Sequence, residues 1–394
     1  MSAIAAAAPA RLDRRGLGVL SFGHLSVDLA QGTVPALLPF LVRDRGYSYA
    51  AAGALLLFSG IGSSFLQPLL GAFADRIRAG WMMPVGTLLA AGGVGFSGQF
   101  DSYLATGGVL VISSIGVAMY HPEAVRFASY VSVAAGRQGT GMSMFAVGGL
   151  SGWALGPILT TPVVGVFGLR GTAIVAIVPL VATLLVAVNL RYFEQYRPTV
   201  EAGHAPREEL GESNWPAFTI AAAAGTLRTG ALFGFQAFVP LYVWRTLHSS
   251  EGVGNAAIAA MLAAGAVGTL FGGRLSDLHG FRRVIVFSLV ASAGLALLVP
   301  LVPLLVLFPL IAVFGLICEM NFYPIVVLAQ RALPRHVGFA SGVTLGLSIG
   351  LGSVCSPLLG VLADHTSLRT ALFGAAGLAV LGALVSLALP REAA

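Results

Sequence analysis

Two ionisable residues stand four apart in the stretch FGHLSVDLAQG, residues 22 to 32. At that spacing His24 and Asp28 project from one face of a helix, and Gln31 and Pro35 continue the face. The run around them is apolar. If the helix starts near Leu17, Asp28 lies about 16 Å along it, near mid-bilayer. An Asp at such depth costs about 2.5–3.5 kcal/mol on insertion scales, so it requires water or a partner. His24 is one turn away. An imidazole titrates near neutrality, so a His–Asp pair can take up and release a proton as its hydration changes. The same side chains can instead form a hydrogen bond that steadies the helix, or supply two ligands to a metal ion. The spacing leaves the three roles open.

Other costly residues recur in apolar surroundings. In MYHPEAVRFAS, Pro122 removes a backbone donor and frees the carbonyl of Ala118, which suits a cavity wall. His121 is expected to face that cavity. Glu123 points elsewhere, being two residues on. It either contributes to the cavity or pairs with Arg126 on its own helix. In GTLRTGALFGFQ the always-charged Arg228 needs an anion. Glu319, in ICEMNFYP, can supply it, or an anionic substrate such as a phosphonate or carboxylate can. Gln236, Asn321 and Tyr323 are further candidates for the wall, with Phe235 and Phe238 as apolar contacts. Tyr323-Pro324 repeats in its span the place of His121-Pro122.

Composition says what must position these groups. Of 394 residues, 57% are hydrophobic and 10% charged, against roughly 25% charged in soluble domains. Mean hydropathy is +0.88. The deficit of charge runs along the whole chain, as in a polytopic membrane protein. The 51 glycines suit close helix packing in lipid. Apolar runs near 17–42, 49–72, 81–100, 103–129, 138–167, 171–190, 216–243, 253–273, 283–303, 305–330, 337–362 and 367–389 each can span as a helix. About twelve spans are therefore expected, in an all-α architecture. Residues 1–16 read as a tail, 17–192 as one six-helix half, 193–214 as a polar linker, 215–390 as a second half and 391–394 as a tail.

Every basic residue is Arg, and the formal charge is +6. The basic balance reports topology rather than nucleic-acid binding. With alternating spans, Arg43, Arg45, Arg170, Arg245 and Arg369 fall on one side and Arg228 within a span, while the other arginines fall on the side of the termini. By the positive-inside rule both termini are cytoplasmic. The first apolar run is too long for a signal-peptide core and is expected to be retained. Cys318 and Cys355 lie in apolar spans and make neither a disulfide framework nor a CxxC site.

Short repeats mark span ends: GAFAD closes span 2, GRLSD span 8, GVLAD span 11, and a degenerate GVFG span 5. These are the second helices of four three-helix units in alternating orientation, hence inverted 3+3 repeats within each half. The loop after span 2, GAFADRIRAGW, carries Gly71, Asp75, Arg76 and Gly80; GRLSDLHGFRR repeats Gly273, Asp277 and Gly280 and adds Arg282. This pattern resembles the G-x-x-x-D-R-x-x-x-G loop of the major facilitator superfamily. The resemblance implies a conformational latch there, not a substrate site. Span 5, GGLSGWALGPIL, places Gly148, Gly152 and Gly156 on one smooth face before Pro157. It resembles the span-5 motif of drug:proton antiporters, although small-residue packing alone also accounts for it. Gly346 and Gly350 echo it in span 11.

Taken together, GHLSVDL, LQPLLGAFADR, YHPEA and VGGLSGWALGP look like the fosmidomycin-resistance branch of that superfamily, the match lying mostly in the first half. The resemblance implies proton-coupled efflux of small toxic compounds by alternating access, from the inner membrane, by a monomer needing no cofactor and no resident metal. Asp28 and His24 are then the expected proton-coupling pair, and Gln31, His121, Glu123, Arg228, Gln236, Glu319, Asn321 and Tyr323 the expected cavity. Two alternatives keep the same fold: uptake of a small organic anion using Arg228, or divalent-metal export using His24, Asp28, His121 and Cys318. No HExxH motif is present and no lysine is available for a P-loop, so an enzyme is not expected.

Overall fold

The computed structural model describes residues 12–74, 79–134, 138–196 and 212–390. The fold is helical throughout them. The first half contains α1 (Arg14–Arg45), α2 (Tyr49–Ala74), α3 (Met82–Phe96), α4 (Tyr103–Ala134), α5 (Gln138–Phe167) and, after two short turns, α6 (Ile177–Val188). The second contains α7 (Trp215–Arg245), α8 (Glu251–His279), α9 (Phe281–Leu298), α10 (Leu304–Glu319), α11 (Phe322–Ala332), α12 (Ser348–His365) and α13 (Leu368–Leu387). α10 and α11 form one span, interrupted at Met320–Asn321. A short helix and a π-helical turn, Gly342–Leu347, lead into α12.

Eleven helical segments among the described residues are long and apolar enough to cross a membrane. The expected span over 81–100 is the exception. It forms α3, only 15 residues, about 22 Å long. Its helix ends at Phe96, before the turn through Ser97, Gly98 and Gln99 that the Thr172 hydroxyl and the Arg170 carbonyl hold. Asp75 and Arg76 lie outside the described residues, as do most of the expected linker and both extreme tails.

Local chemistry sets the helix boundaries. Asp13, Asn214, Ser250 and Ser367 each accept a hydrogen bond from the backbone N–H three residues on, capping α1, α7, α8 and α13. Gly46 (φ 65°) ends α1 and Gly280 (φ 88°) separates α8 from α9, both in a region that favours glycine. Leu104 and Leu305 are 79% and 86% exposed. They belong to an outer surface of large apolar side chains that water would disfavour and acyl chains accept.

α1 and α7 run through the middle. From Ser26 to Val42 every residue of α1 except Gln31 is buried, and from Arg228 to Val243 every residue of α7 is buried. Towards their N-terminal ends both helices become partly exposed, at Ser21, Phe22, His24 and Leu25 and at Ala222, Ala223, Thr226 and Leu227. The molecule is thus sealed at one end and opens between its halves at the end where α1 and α7 begin.

Polar contacts between halves close the sealed end. Arg43 pairs with Glu251 at 2.7 Å. The Asn255 amide donates to the Ala36 carbonyl and to the Thr161 hydroxyl. Both carboxylate oxygens of Asp364, in the GVLAD repeat, accept from the first backbone N–H groups of α2, Tyr49 at 2.8 Å and Ala50 at 2.9 Å. Gly53 and Gly360 let α2 and α12 touch backbone to backbone beside them.

Candidate functional site: an ionisable cluster at the base of the opening

Asp28 sits where α1 passes from its exposed to its sealed part. Each carboxylate oxygen faces a different imidazole: Oδ2 lies 3.3 Å from His24 Nε2 and Oδ1 3.4 Å from His121 Nε2. The three side chains are 11%, 12% and 16% exposed, so the cluster touches the opening without lying in bulk water. α1 supplies two members and α4 the third, brought in just before the Pro122 position.

Carbonyls fix both rings. His24 Nδ1 lies 2.9 Å from the Phe145 carbonyl, and His121 Nδ1 lies 2.9 Å from the Val117 carbonyl. A carbonyl only accepts, so each Nδ1 carries hydrogen and donates it. In a neutral ring of that tautomer Nε2 is a bare lone pair. Each Nε2 faces a carboxylate, so it needs a proton, or another cation, between itself and Asp28. The cluster is built to hold positive charge against one carboxylate. The Tyr120 hydroxyl is near enough to feel the charge of Asp28 and donates to the Leu20 carbonyl at 2.6 Å.

α5 forms the floor. The Phe145 ring stacks on His24 with centroids 4.2 Å apart and planes 18° from parallel. Gly149 lies directly against the pair: a Cβ there would meet the His24 ring and come within 2.6 Å of Asp28 Oδ2. Gly148, Gly152 and Gly156 stand against the backbone of α1 at Ser21, Leu25 and Gly32. The glycine face of span 5 therefore seats α1. Neither Phe145 nor Gly149 stands out in the sequence, since a carbonyl contact has no sequence signature and Gly149 lies one residue off the four-residue repeat.

Across the opening stands a second charged site. Arg228 Nη1 donates to Glu319 Oε1 at 2.7 Å, its guanidinium lies 5.3 Å from the Phe322 ring centroid, and Nη2 reaches the Thr229 hydroxyl. Arg228 thus has its anion within the protein. Glu319 is 17% exposed. Tyr323, 42% exposed, lies within electrostatic reach of both Asp28 and Glu319. Deeper, towards the sealed end, a cavity of about 20 Å³ is lined by Gln31, Ser63 and Trp153 from one half and Phe233 and Gln236 from the other. That is room for a water molecule.

Several expected wall residues are elsewhere. Glu123 is fully buried and pairs with Arg126 at 2.6 Å, while Arg126 also donates to the Ala74 carbonyl. This pair anchors the end of α2. Asn321 is fully buried and donates to the Ser288 hydroxyl and the Cys318 carbonyl at the break after α10, where interrupted backbone needs partners. Phe235 and Phe238 are core residues with no exposed surface, Phe235 packing on Phe314. Cys318 is buried beside Arg228, in the other half from the histidines.

Among the described loop residues, Arg282 ties helix ends together. Arg282 donates from Nε to the Leu389 carbonyl and from Nη2 to the Leu387 carbonyl, joining the start of α9 to the end of α13. Gly71 lies in α2 and Gly273 and Asp277 in α8, Asp277 being exposed. Gly80 packs beside Glu194. Asp364 is the member of the repeated pentapeptide whose capping role is visible among the described residues; the repeat itself marks it.

Comparison with known proteins agrees with this architecture. The chain is 28% identical over 376 residues to the fosmidomycin resistance protein of Escherichia coli (strain K12), covering 93% of this chain and 91% of that one. It is 28% identical over 387 residues to an uncharacterized MFS-type transporter, YfnC, of Bacillus subtilis (strain 168), covering 95% and 92%. Among solved structures, a variant of the nucleoside transporter NupG superposes with a TM-score of 0.73 at 18% identity, over 96% of this chain and 100% of that one. A bacterial homologue of the lysosomal transporter Spinster superposes with a TM-score of 0.72 at 14% identity, over 98% and 100%. At those identities the structures speak for the fold alone. The Major Facilitator Superfamily model matches residues 20–242 and 221–394, nearly the whole chain, and with eleven helical segments among the described residues able to cross a membrane this means that the chain is a multi-pass membrane transporter belonging to the Major Facilitator Superfamily.

Proposed function

We propose that this transporter exports a small organic compound in exchange for protons, by alternating access, from the inner membrane and as a monomer. One observation carries the reading: the Asp28 carboxylate is held between two imidazoles at the base of the opening. With both termini cytoplasmic, as the arginine distribution favours, the opening faces the cytoplasm. The sealed end, with Arg43–Glu251 and the Asp364 caps, is then the outer gate.

The cycle follows from the charge states of the cluster. With protons on the imidazoles, Asp28 is bridged on both sides and the site is satisfied. Loss of those protons leaves lone pairs facing a carboxylate, and the cluster then recruits water or a substrate group from the cavity. Substrate and proton therefore prefer different states of one site, which is the differential affinity that coupled exchange requires. Tyr120, Tyr323 and, across the cavity, Glu319 and Arg228 are the other ionisable groups that face it.

The relative named for fosmidomycin resistance supports efflux of small toxic compounds and makes fosmidomycin the first compound to try. Arg228 already has Glu319 as its anion, which weighs against a reading in which Arg228 takes up a free anionic substrate. The test is purified protein in vesicles under an imposed proton gradient, screened across anionic antibiotics and lipophilic cations. Gradient-driven flux is expected for at least one compound. In Asp28→Asn that flux should vanish while substrate binding persists. Flux that still follows the gradient in Asp28→Asn would remove Asp28 from the coupling.

A further inference from the structure

We propose that His24, Asp28 and His121 form a binding site for a divalent transition-metal ion of the Zn²⁺ class. The ligand atoms, two imidazole nitrogens and a carboxylate oxygen, lie within 4.8 Å of one another. A zinc ion with ligands at about 2.0–2.1 Å in a tetrahedron separates neighbouring ligand atoms by about 3.3 Å. The two nitrogen–oxygen separations here, 3.3 and 3.4 Å, run to different oxygens of Asp28. Rotation of the carboxylate and the rings brings one oxygen to that distance from both nitrogens.

The rings are already set for metal rather than merely near one another. Each donates Nδ1–H to a backbone carbonyl, His24 to Phe145 and His121 to Val117. That is the outer-shell bond that metal-ligating histidines ordinarily make, and it turns the Nε2 lone pair inward on both. The carboxylate supplies the negative charge. Both rings are partly exposed, so an ion has an entry path. Two imidazoles and one carboxylate select borderline transition metals over Ca²⁺ and Mg²⁺, which want oxygen. The thiol of Cys318 lies with Arg228 in the other half and takes no part. All three ligands come from α1 and α4 of one half, so the site survives movement of the halves against each other.

This inference rests on ligand geometry alone and stands whether or not Asp28 couples protons. Titration calorimetry of the full chain in detergent, with Zn²⁺ added, should give one tight event. His24→Asn and His121→Asn should each weaken it by about 100-fold or more, since losing an outer-shell partner alone costs 10–100-fold. His365→Asn, at an exposed histidine, should leave it unchanged. X-ray absorption of the zinc-loaded native protein, which needs no variant to fold, should report two imidazoles with oxygen at about 2.0–2.1 Å. Equal affinity in all the variants, sulfur in the coordination shell, or fewer than two imidazoles would overturn the proposal. Loss of gradient-driven flux in Asp28→Asn bears on the coupling and leaves the metal site to these measurements.

Discussion

The two halves place a costly charge at nearly the same point of their first helix, Asp28 in α1 and Arg228 in α7, and each draws its partner from the fourth span, His121 in α4 and Glu319 at the end of α10. The geometry is shared and the chemistry is not. In the first half the charge of the site can change, because its members are a carboxylate and two imidazoles. In the second half a guanidinium stays charged at any pH the cell meets, and it is bonded at 2.7 Å. The lesson is a division of labour: one site whose occupancy varies, facing one that holds the opposite wall in a fixed electrostatic state.

Breaking the fixed site should have the largest effect. Glu319→Ala leaves Arg228, only 4% exposed, without its anion, and an uncompensated buried charge costs about 3–5 kcal/mol. The unfolding temperature in detergent should fall accordingly. Replacing both partners with apolar residues, Arg228→Met with Glu319→Leu, should recover most of the loss. Asp28→Asn should cost much less, because an amide can still bond to the imidazoles. If Asp28→Asn proved the more destabilising change, the division of labour would fail.

The floor of the variable site comes next. Gly149→Ala puts a methyl group against the His24 ring and the Asp28 carboxylate. Overpacking of this kind costs about 1–3 kcal/mol, and here it also forces the pair apart. We expect a modest drop in unfolding temperature and a disproportionate loss of gradient-driven flux. The variant Gly294→Ala, at a position open on all sides, is the control and should change neither.

How far these sites were legible in the sequence differs for the same physical reasons. A carboxylate or guanidinium inside an apolar run announces itself, because nothing else explains its cost; Asp28, His24, Arg228 and Glu319 were readable on that ground. Residues that act through backbone were not. Phe145 contributes a carbonyl, Gly149 an absence of side chain, and Val117 a carbonyl one turn before His121. Burial misled in the other direction for Glu123 and Asn321: both are polar residues in apolar spans, yet one is satisfied by Arg126 and the other by a helix break. Span boundaries followed hydropathy except at α3, where Ser97, Gly98 and Gln99 leave the helix to bond across to the turn at Arg170 and Thr172.

The gate offers a smaller test of how the halves differ at their contact. The second half gives Asp364 to cap α2, and the first gives Thr161 to bind Asn255 of α8. The first contact is charge-assisted and doubled, the second neutral and single. Asp364→Ala should weaken the seal by about 1 kcal/mol, typical of a lost cap, and shift the closed-to-open ratio at that end about fivefold. Spin labels on α2 and α12 near the gate should report longer distances. Thr161→Val should do the same to a lesser degree, and a larger effect from Thr161→Val would reverse the ranking.

The smallest difference lies where the two central helices begin. Asp13 caps α1 and Asn214 caps α7, each accepting from the N–H three residues on, yet only Asp13 can titrate. Partial burial pushes the Asp13 carboxyl up, but the Gly16 N–H and the hydroxyls of Tyr192 and Tyr196 together outweigh it and hold the carboxyl below its ordinary value. A depressed carboxylate stabilises the fold above its ordinary pKa of about 3.9, and that contribution is lost as pH falls through the lower, folded value. Acid should therefore loosen the start of α1 and leave the start of α7 alone. Amide exchange compared between neutral pH and a pH below 3 should show lost protection at Leu17 but not at Phe218, by an amount under about 1 kcal/mol. In Asp13→Asn, where the cap persists without a titrating group, the difference between the helices should disappear.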